Sequence, residues 1–170
     1  PDRTFEILGH TSQILTTGGS YLGNYGILKS GQIRSSTEHD EALTSIARSI
    51  VPFIKQKNFY GVCGFDSFTF SCPVSNQQQL RSPLEFNARF TSATVGISHV
   101  EEIAQTHPYN NGSWAFILDA KPAWCEYAQK EKTWTTRIIR TVTTQKHALI
   151  SVAQDPASLP QWLKSIGLKT

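Results

Sequence analysis

The chain contains no methionine and begins at proline. With no initiating residue at its head, it is expected to be a piece cut from a larger polypeptide. Cysteine is scarce: Cys63, Cys72 and Cys125 are an odd number without metal-type spacing. That speaks against a disulfide framework and against a cysteine-ligated zinc site. Cys63 falls inside an apolar run, where a small buried thiol is the ordinary role, so reduced structural cysteines of a cytoplasmic protein are expected. Long apolar runs are missing too. Apolar residues make up 39% of the 170, yet no stretch approaches the roughly 20 residues that span a bilayer. No apolar signal segment opens the chain, and neither a membrane nor secretion is indicated.

Several chemistries lack their marks. His10, His39, His99, His107 and His147 share no ligand spacing and read as surface or packing residues. No Gly-x-Ser-x-Gly elbow or Cys–His pairing supports nucleophilic hydrolysis. Gly18-Gly19 lacks the strand-to-helix setting and the lysine of a phosphate loop. The net charge is +3, with cations scattered except at Lys130, Lys132, Arg137 and Arg140. Such an excess suits an anionic ligand or a solvated surface, not a nucleic-acid footprint. Trp114, Trp124, Trp134 and Trp162 come without a basic stripe and read as packing anchors.

What is present is a regular alternation of strand and helix signals over a length that fits one domain, 1–170. Phe5 to Thr16 reads as a strand, and the glycines of Gly18-Gly19-Ser20 and Gly23-Asn24-Tyr25-Gly26 break the chain after it. From Thr37, acidic residues followed by Leu43, Ile46, Ala47, Ile50, Phe53 and Ile54 predict an amphipathic helix, with Pro52 inside it and Lys57-Asn58 closing it. Phe59 to Phe70 and Leu84 to Arg89 read as two strands joined by a polar turn. A helix over Ile97 to Gln105, a turn at Pro108 to Gly112 and a strand over Trp114 to Ala120 follow. Beyond them come a helix near Trp124 to Lys130, a strand at Ala148 to Ala153 and a helix from Leu159 to Ile166. This order predicts an α+β fold, a largely antiparallel sheet with helices packed on one face.

The chemistry-bearing stretch is Leu84-Glu85-Phe86-Asn87-Ala88-Arg89. In a strand, side chains alternate between faces, so Glu85, Asn87 and Arg89 share one side while Leu84, Phe86 and Ala88 point to a core. Asp66, on the preceding apolar run, would lie beside Glu85 and Asn87 if the two runs pair as antiparallel neighbours. Two carboxylates and an amide oxygen then form a ligand set for a hard cation such as magnesium. The plainer alternative is a solvated sheet face carrying ordinary polar residues.

The helix, then Phe59-Tyr60-Gly61-Val62-Cys63-Gly64-Phe65-Asp66, then Leu84-Glu85-Phe86-Asn87-Ala88-Arg89-Phe90-Thr91, resembles the C-terminal catalytic lobe of the ATP-grasp ligases, specifically the carboxylate–amine ligases. The resemblance covers about 5–105 and leaves 106–170 as an extension of unclear role. It implies ATP and Mg²⁺ as cofactors and an acyl-phosphate intermediate attacked by an amine. It implies Asp66, Glu85 and Asn87 as metal ligands, with Glu85 and Asn87 also meeting the nucleotide. Phe68 would touch the nucleotide, and Arg89 would be the catalytic cation at the transferring phosphoryl group. Thr91 and Ser92 either line an acceptor site or form the entry to the next helix. The partners implied are a small carboxylate and an amine, with no nucleic acid and no membrane, and a homodimer is compatible. The N-terminal and central lobes of such an enzyme have no counterpart here, so this piece is expected to be inactive by itself. Alternatives are a non-enzymatic scaffold derived from the same fold, or chemistry of the carbamoyl-phosphate or carboxylase type.

Overall fold

The computed structural model describes residues 5–107, 109–140 and 146–170. The elements run β1 (Ser12–Leu15), β2 (Tyr21–Lys29), β3 (Gln32–Arg34), α1 (Asp40–Gln56), β4 (Gly64–Ser71), β5 (Gln78–Asn87) and α2 (Ser92–Thr106). They continue with β6 (Asn111–Ile117), α3 (Pro122–Lys130), β7 (Trp134–Arg140), β8 (His147–Ala153) and α4 (Ser158–Ser165). The class is α+β, and every strand pairing is antiparallel. The chain divides into two compact units, one of 1–7 and 38–91, the other of 8–37 and 92–170. This division does not follow the expected boundary between 5–105 and 106–170.

The larger unit is built on a sheet ordered β1-β2-β6-β8-β7, with β3 also paired to β2. Its central strands are buried on both sides, and each side is covered by helix. Trp114, Phe116, Ile150 and Val152 pack with Ile97, Val100 and Ile103 of α2. Ala115, Ile117, Leu149 and Ala153 pack with Cys125 and Ala128 of α3 and Leu159, Trp162 and Leu163 of α4. Helices therefore lie on both faces of this sheet, not on one as expected. The cause is the composition of β6 and β8: consecutive apolar residues need cover on either side. Pro122 opens α3, where its missing N–H costs nothing.

Several features of the larger unit differ from the sequence pattern. β2 runs unbroken through Gly23 and Gly26, which are not breaks but points of close approach. A Cβ on Gly26 would stand 2.4 Å from the Arg34 carbonyl oxygen and 2.9 Å from Trp114 Nε1. The strand expected over Phe5 to Thr16 is confined to Ser12–Leu15, and β7 was not signalled at all. Pro108 of the expected turn lies outside the described residues, and β6 begins within that turn, at Asn111.

The smaller unit holds α1 and the two-stranded β4–β5 sheet, with α1 lying against β5. Asp40 and Glu41 occupy the first turn of α1 and Lys55 the last, each matched to the charge of its helix end. Pro52 sits within the helix without ending it. Closure comes at Lys57, followed by Asn58 at φ 52°, a left-handed residue of the kind that ends helices.

Candidate functional site

β4 and β5 pair with Gly64 opposite Asn87, Phe65 opposite Phe86 and Asp66 opposite Glu85. Residues directly opposed in an antiparallel ladder share a face. Asp66, Glu85 and Asn87 therefore stand together on one side of the hairpin, with Gly64 leaving space beside Asn87. The Asn87 amide Nδ2 donates to Asp66 Oδ2 at 3.3 Å, tying the two strands through their side chains. Asn87 is buried, Asp66 half-buried and Glu85 exposed, so the face grades from protein to solvent.

Past this point the ladder is irregular. Register shifts between Asp66 and Phe68, and Phe68 then pairs with Arg81. Within the irregular stretch Ser67 Oγ donates to Ser82 Oγ at 2.6 Å. Phe68 and Arg81 are both exposed. Nothing in the local pattern of Gln78 to Arg81 marks Arg81 beforehand. Its position depends on the two extra residues that β5 carries at the irregularity.

Arg89 is a correction. β5 ends at Asn87, and Arg89 lies two residues further on in an exposed bend. The alternation that places Glu85 and Asn87 together does not extend to it. The expected core under this strand is a second correction: Leu84 is 60% exposed and Phe86 44%. A two-stranded sheet has too little area to cover its apolar side. Phe86 instead joins a small ring cluster, 5.1 Å from Phe65 and 6.1 Å from Phe59 between centroids. Cys63 lies just ahead of β4, half-buried, and burial pushes its thiol pKa up.

The donor set suits a hard cation that keeps part of its shell for water or phosphate oxygen. Magnesium is commonly held by one or two carboxylates together with ligand phosphates. Asp66 and Glu85 supply those carboxylates, and Asn87 supplies a neutral oxygen beside them. Among the described residues no group of three or more His, Cys, Asp or Glu side chains is placed to hold a metal ion. A cation on this face would rest on two acids and an amide, not on a closed protein cage. All three cysteines are free.

Ser92 is the first residue of α2, and its hydroxyl lies 2.5 Å from the Tyr21 hydroxyl. Tyr21 in turn donates to Asn24 Oδ1, and Asn24 Nδ2 donates to Thr11 Oγ1 at 3.0 Å. This network gives Ser92 the role of helix entry. His99 lies on α2 with Nδ1 3.8 Å from Glu102 Oε2, and Arg137 meets the same carboxylate at 2.7 Å. No helix among the described residues is long and apolar enough to cross a membrane. Compared with known protein families, curated proteins and solved structures, the chain matches none of them.

Proposed function

We propose that the β4–β5 face is the magnesium and phosphate site of an ATP-dependent carboxylate–amine ligase. The observation that carries the reading is the register: Asp66 opposite Glu85, with Asn87 bonded to Asp66 on the same side. Two carboxylates opposed across the ladder, with no cationic side chain bonded to either among the described residues, favour a bound cation. When bound, magnesium would neutralise phosphate charge and hold the phosphoryl group for transfer.

The chain's own residues have distinct tasks in this scheme. Glu85, the exposed acid, reaches furthest toward solvent and would bridge metal and nucleotide. Asp66 and Asn87 hold the inner side of the ligand set. Arg89 stands in an exposed bend past the end of β5 and would meet the phosphoryl group there. The substrate carboxylate would accept the terminal phosphoryl group of ATP, releasing ADP, and the amine would displace phosphate from the acyl phosphate.

The test is nucleotide consumption by the intact polypeptide against a panel of amino acids and short peptides. Glu85→Gln is expected to abolish ATP-dependent ligation while leaving the fold in place. Unchanged turnover in that variant would remove the site. A non-enzymatic interaction module is the second reading, favoured by the exposure of Phe53 (67%) and Phe90 (69%) in the same unit. Magnesium-dependent nucleotide binding that Glu85→Gln removes would decide for the ligase.

A further inference from the structure

The six-stranded sheet of the larger unit has two edges, and they are built differently. On one side the outer neighbours of β2 are the four-residue β1 and the three-residue β3. β1 is closed further by Lys169, whose backbone exchanges hydrogen bonds with Leu15 at 2.9 and 3.0 Å. Short or covered strands keep a sheet edge from pairing with another chain. β7, at the other edge, is seven residues long, Trp134–Arg140, in unbroken register with β8 and without proline or glycine. Among the described residues no strand pairs with its outer side.

The side chains of β7 are engaged on both faces of the sheet. Thr135 meets the Tyr109 hydroxyl at 2.7 Å, Arg137 meets Glu102 of α2 at 2.7 Å, and Ile139 packs in the same layer. Trp134 and Ile138 pack in the opposite layer, where the Thr136 hydroxyl donates to the Ala128 carbonyl at 3.2 Å. Residues 134–139 are nonetheless only half-buried, whereas 149–153 of β8 are buried. What stays unengaged is the backbone edge, where alternate residues turn their N–H and C=O away from β8. Cations stand at both of its ends. Lys130 and Lys132 precede the strand and Arg140 closes it; all three are exposed and make no ion pair among the described residues. The Glu131 carboxylate between the two lysines accepts from the Thr133 hydroxyl at 2.9 Å.

We infer that β7 is a docking edge for an extended acidic segment of a partner protein, which joins the sheet as a further strand. Backbone pairing supplies the affinity, and the cations at the two ends select the partner. Charge decides between the occupants that such an edge could take. A second copy of the chain, related by two-fold symmetry, would bring its own β7 alongside antiparallel. In full overlap Arg137 then opposes its own counterpart, and like charges directly opposed destabilise a sheet. Charged side chains on an edge strand guard against that kind of self-pairing. A strand with Asp or Glu at both ends meets attraction there instead, from Lys130 and Lys132 at one end and Arg140 at the other. β7 spans about 20 Å, which sets the separation of the partner's acidic ends.

The experiment is an NMR titration of the chain with a synthetic peptide of alternating Val and Thr flanked by Glu at both ends. It is repeated with Lys in place of Glu, and with every backbone nitrogen of the Val-Thr stretch methylated. The acidic peptide is expected to shift the β7 amides and slow their exchange with solvent. Both altered peptides are expected to bind more weakly by about tenfold or more, the one for charge and the other for lost backbone hydrogen bonds. Lys132→Glu combined with Arg140→Glu is expected to invert the preference, making the Lys peptide the better ligand. The amide spectrum reports whether that variant keeps its fold, and Arg140→Gln alone, expected to weaken the acidic peptide, keeps the test decisive if it does not. Undiminished binding of the methylated peptide would reduce the edge to a charged surface and overturn the inference. Equal binding of the Glu and Lys peptides, shifts confined to elements other than β7, or no binding at all would each overturn it too. Concentration-dependent change of the β7 amides in the free chain would overturn it in favour of pairing between copies.

Discussion

Asp66 and Glu85 occupy directly opposed positions across the β4–β5 ladder. Like charges so placed destabilise a sheet, by an amount on the scale of cross-strand pairs, about 0.2–1 kcal/mol. The Asn87 amide donates to Asp66 and offsets part of that repulsion. The remainder is what a bound cation would relieve, so this pair links the hairpin's stability to occupancy of the site.

The first prediction follows. Without divalent ions, Glu85→Gln should leave the hairpin as stable as before or more so, by up to about 1 kcal/mol. Magnesium should raise the stability of the unmodified chain by mass action and have no effect on the variant. Denaturant unfolding with and without magnesium reads both. A clear destabilisation by Glu85→Gln in metal-free buffer would mean that Glu85 has a stabilising partner and would defeat the argument.

Period-two alternation was enough to bring Asp66, Glu85 and Asn87 together, because it needs only local geometry and one antiparallel pairing. Arg89 escaped it because where a strand stops is set by its partner: β4 begins at Gly64, opposite Asn87. The pairing of Phe68 with Arg81 escaped for a related reason, since an irregular register shifts which residues oppose each other. The glycines of β2 read as breaks because propensity weighs backbone entropy. In the sheet, Gly26 is required by the Arg34 carbonyl and the Trp114 indole crowding its Cα. Leu84 and Phe86 read as core because an apolar strand usually has a cover, and here only a second strand and part of a helix are at hand.

Cys72 should be the most reactive thiol. The Ser75 hydroxyl, followed by the Ser75 and Val74 backbone amides, hydrogen-bonds its sulfur and lowers its pKa. Burial raises those of Cys63 and Cys125. Because the thiolate is the nucleophile, limited alkylation near neutral pH should label Cys72 first, as mass spectrometry of peptides would show. Ser75→Ala should move the pH–rate curve of Cys72 upward. Earlier labelling of Cys63, or a curve that Ser75→Ala does not move, would refute the assignment.

The acid limb of stability should depend on Arg137. Its hydrogen bond to Glu102, then its charge, holds that carboxyl below the ordinary range, with a smaller contribution from His99. A folded pKa below the unfolded one adds stability above the ordinary glutamate value near ~4.3, and that gain is lost as pH falls through the lowered one. Arg137→Met should therefore flatten stability against pH across this acidic window. It should also return the Glu102 carboxyl titration, followed by NMR, toward higher pH. Identical titrations in the two proteins would show that the pair does not persist in solution.

Ser113 presents the sharpest structural test, because one buried hydroxyl serves two backbone groups. Its Oγ donates to the Asp155 carbonyl at 2.7 Å and accepts from the Leu159 N–H at 3.3 Å, and the residue is fully buried. Leu159 lies in the first turn of α4, where backbone N–H groups have no partner within the helix. Ser113 on β6 thus caps a helix remote in sequence and fixes where it meets the sheet. Ser113→Ala removes the hydroxyl without removing the groups it satisfies, which costs about 1–3 kcal/mol for a buried unpaired group. Thermal or denaturant unfolding should register that loss. Amide exchange at Leu159 should quicken more than at Leu163, a core residue further along the same helix. A uniform change along α4 would mean that Ser113 acts only through its volume, and no change would mean that water replaces its hydroxyl.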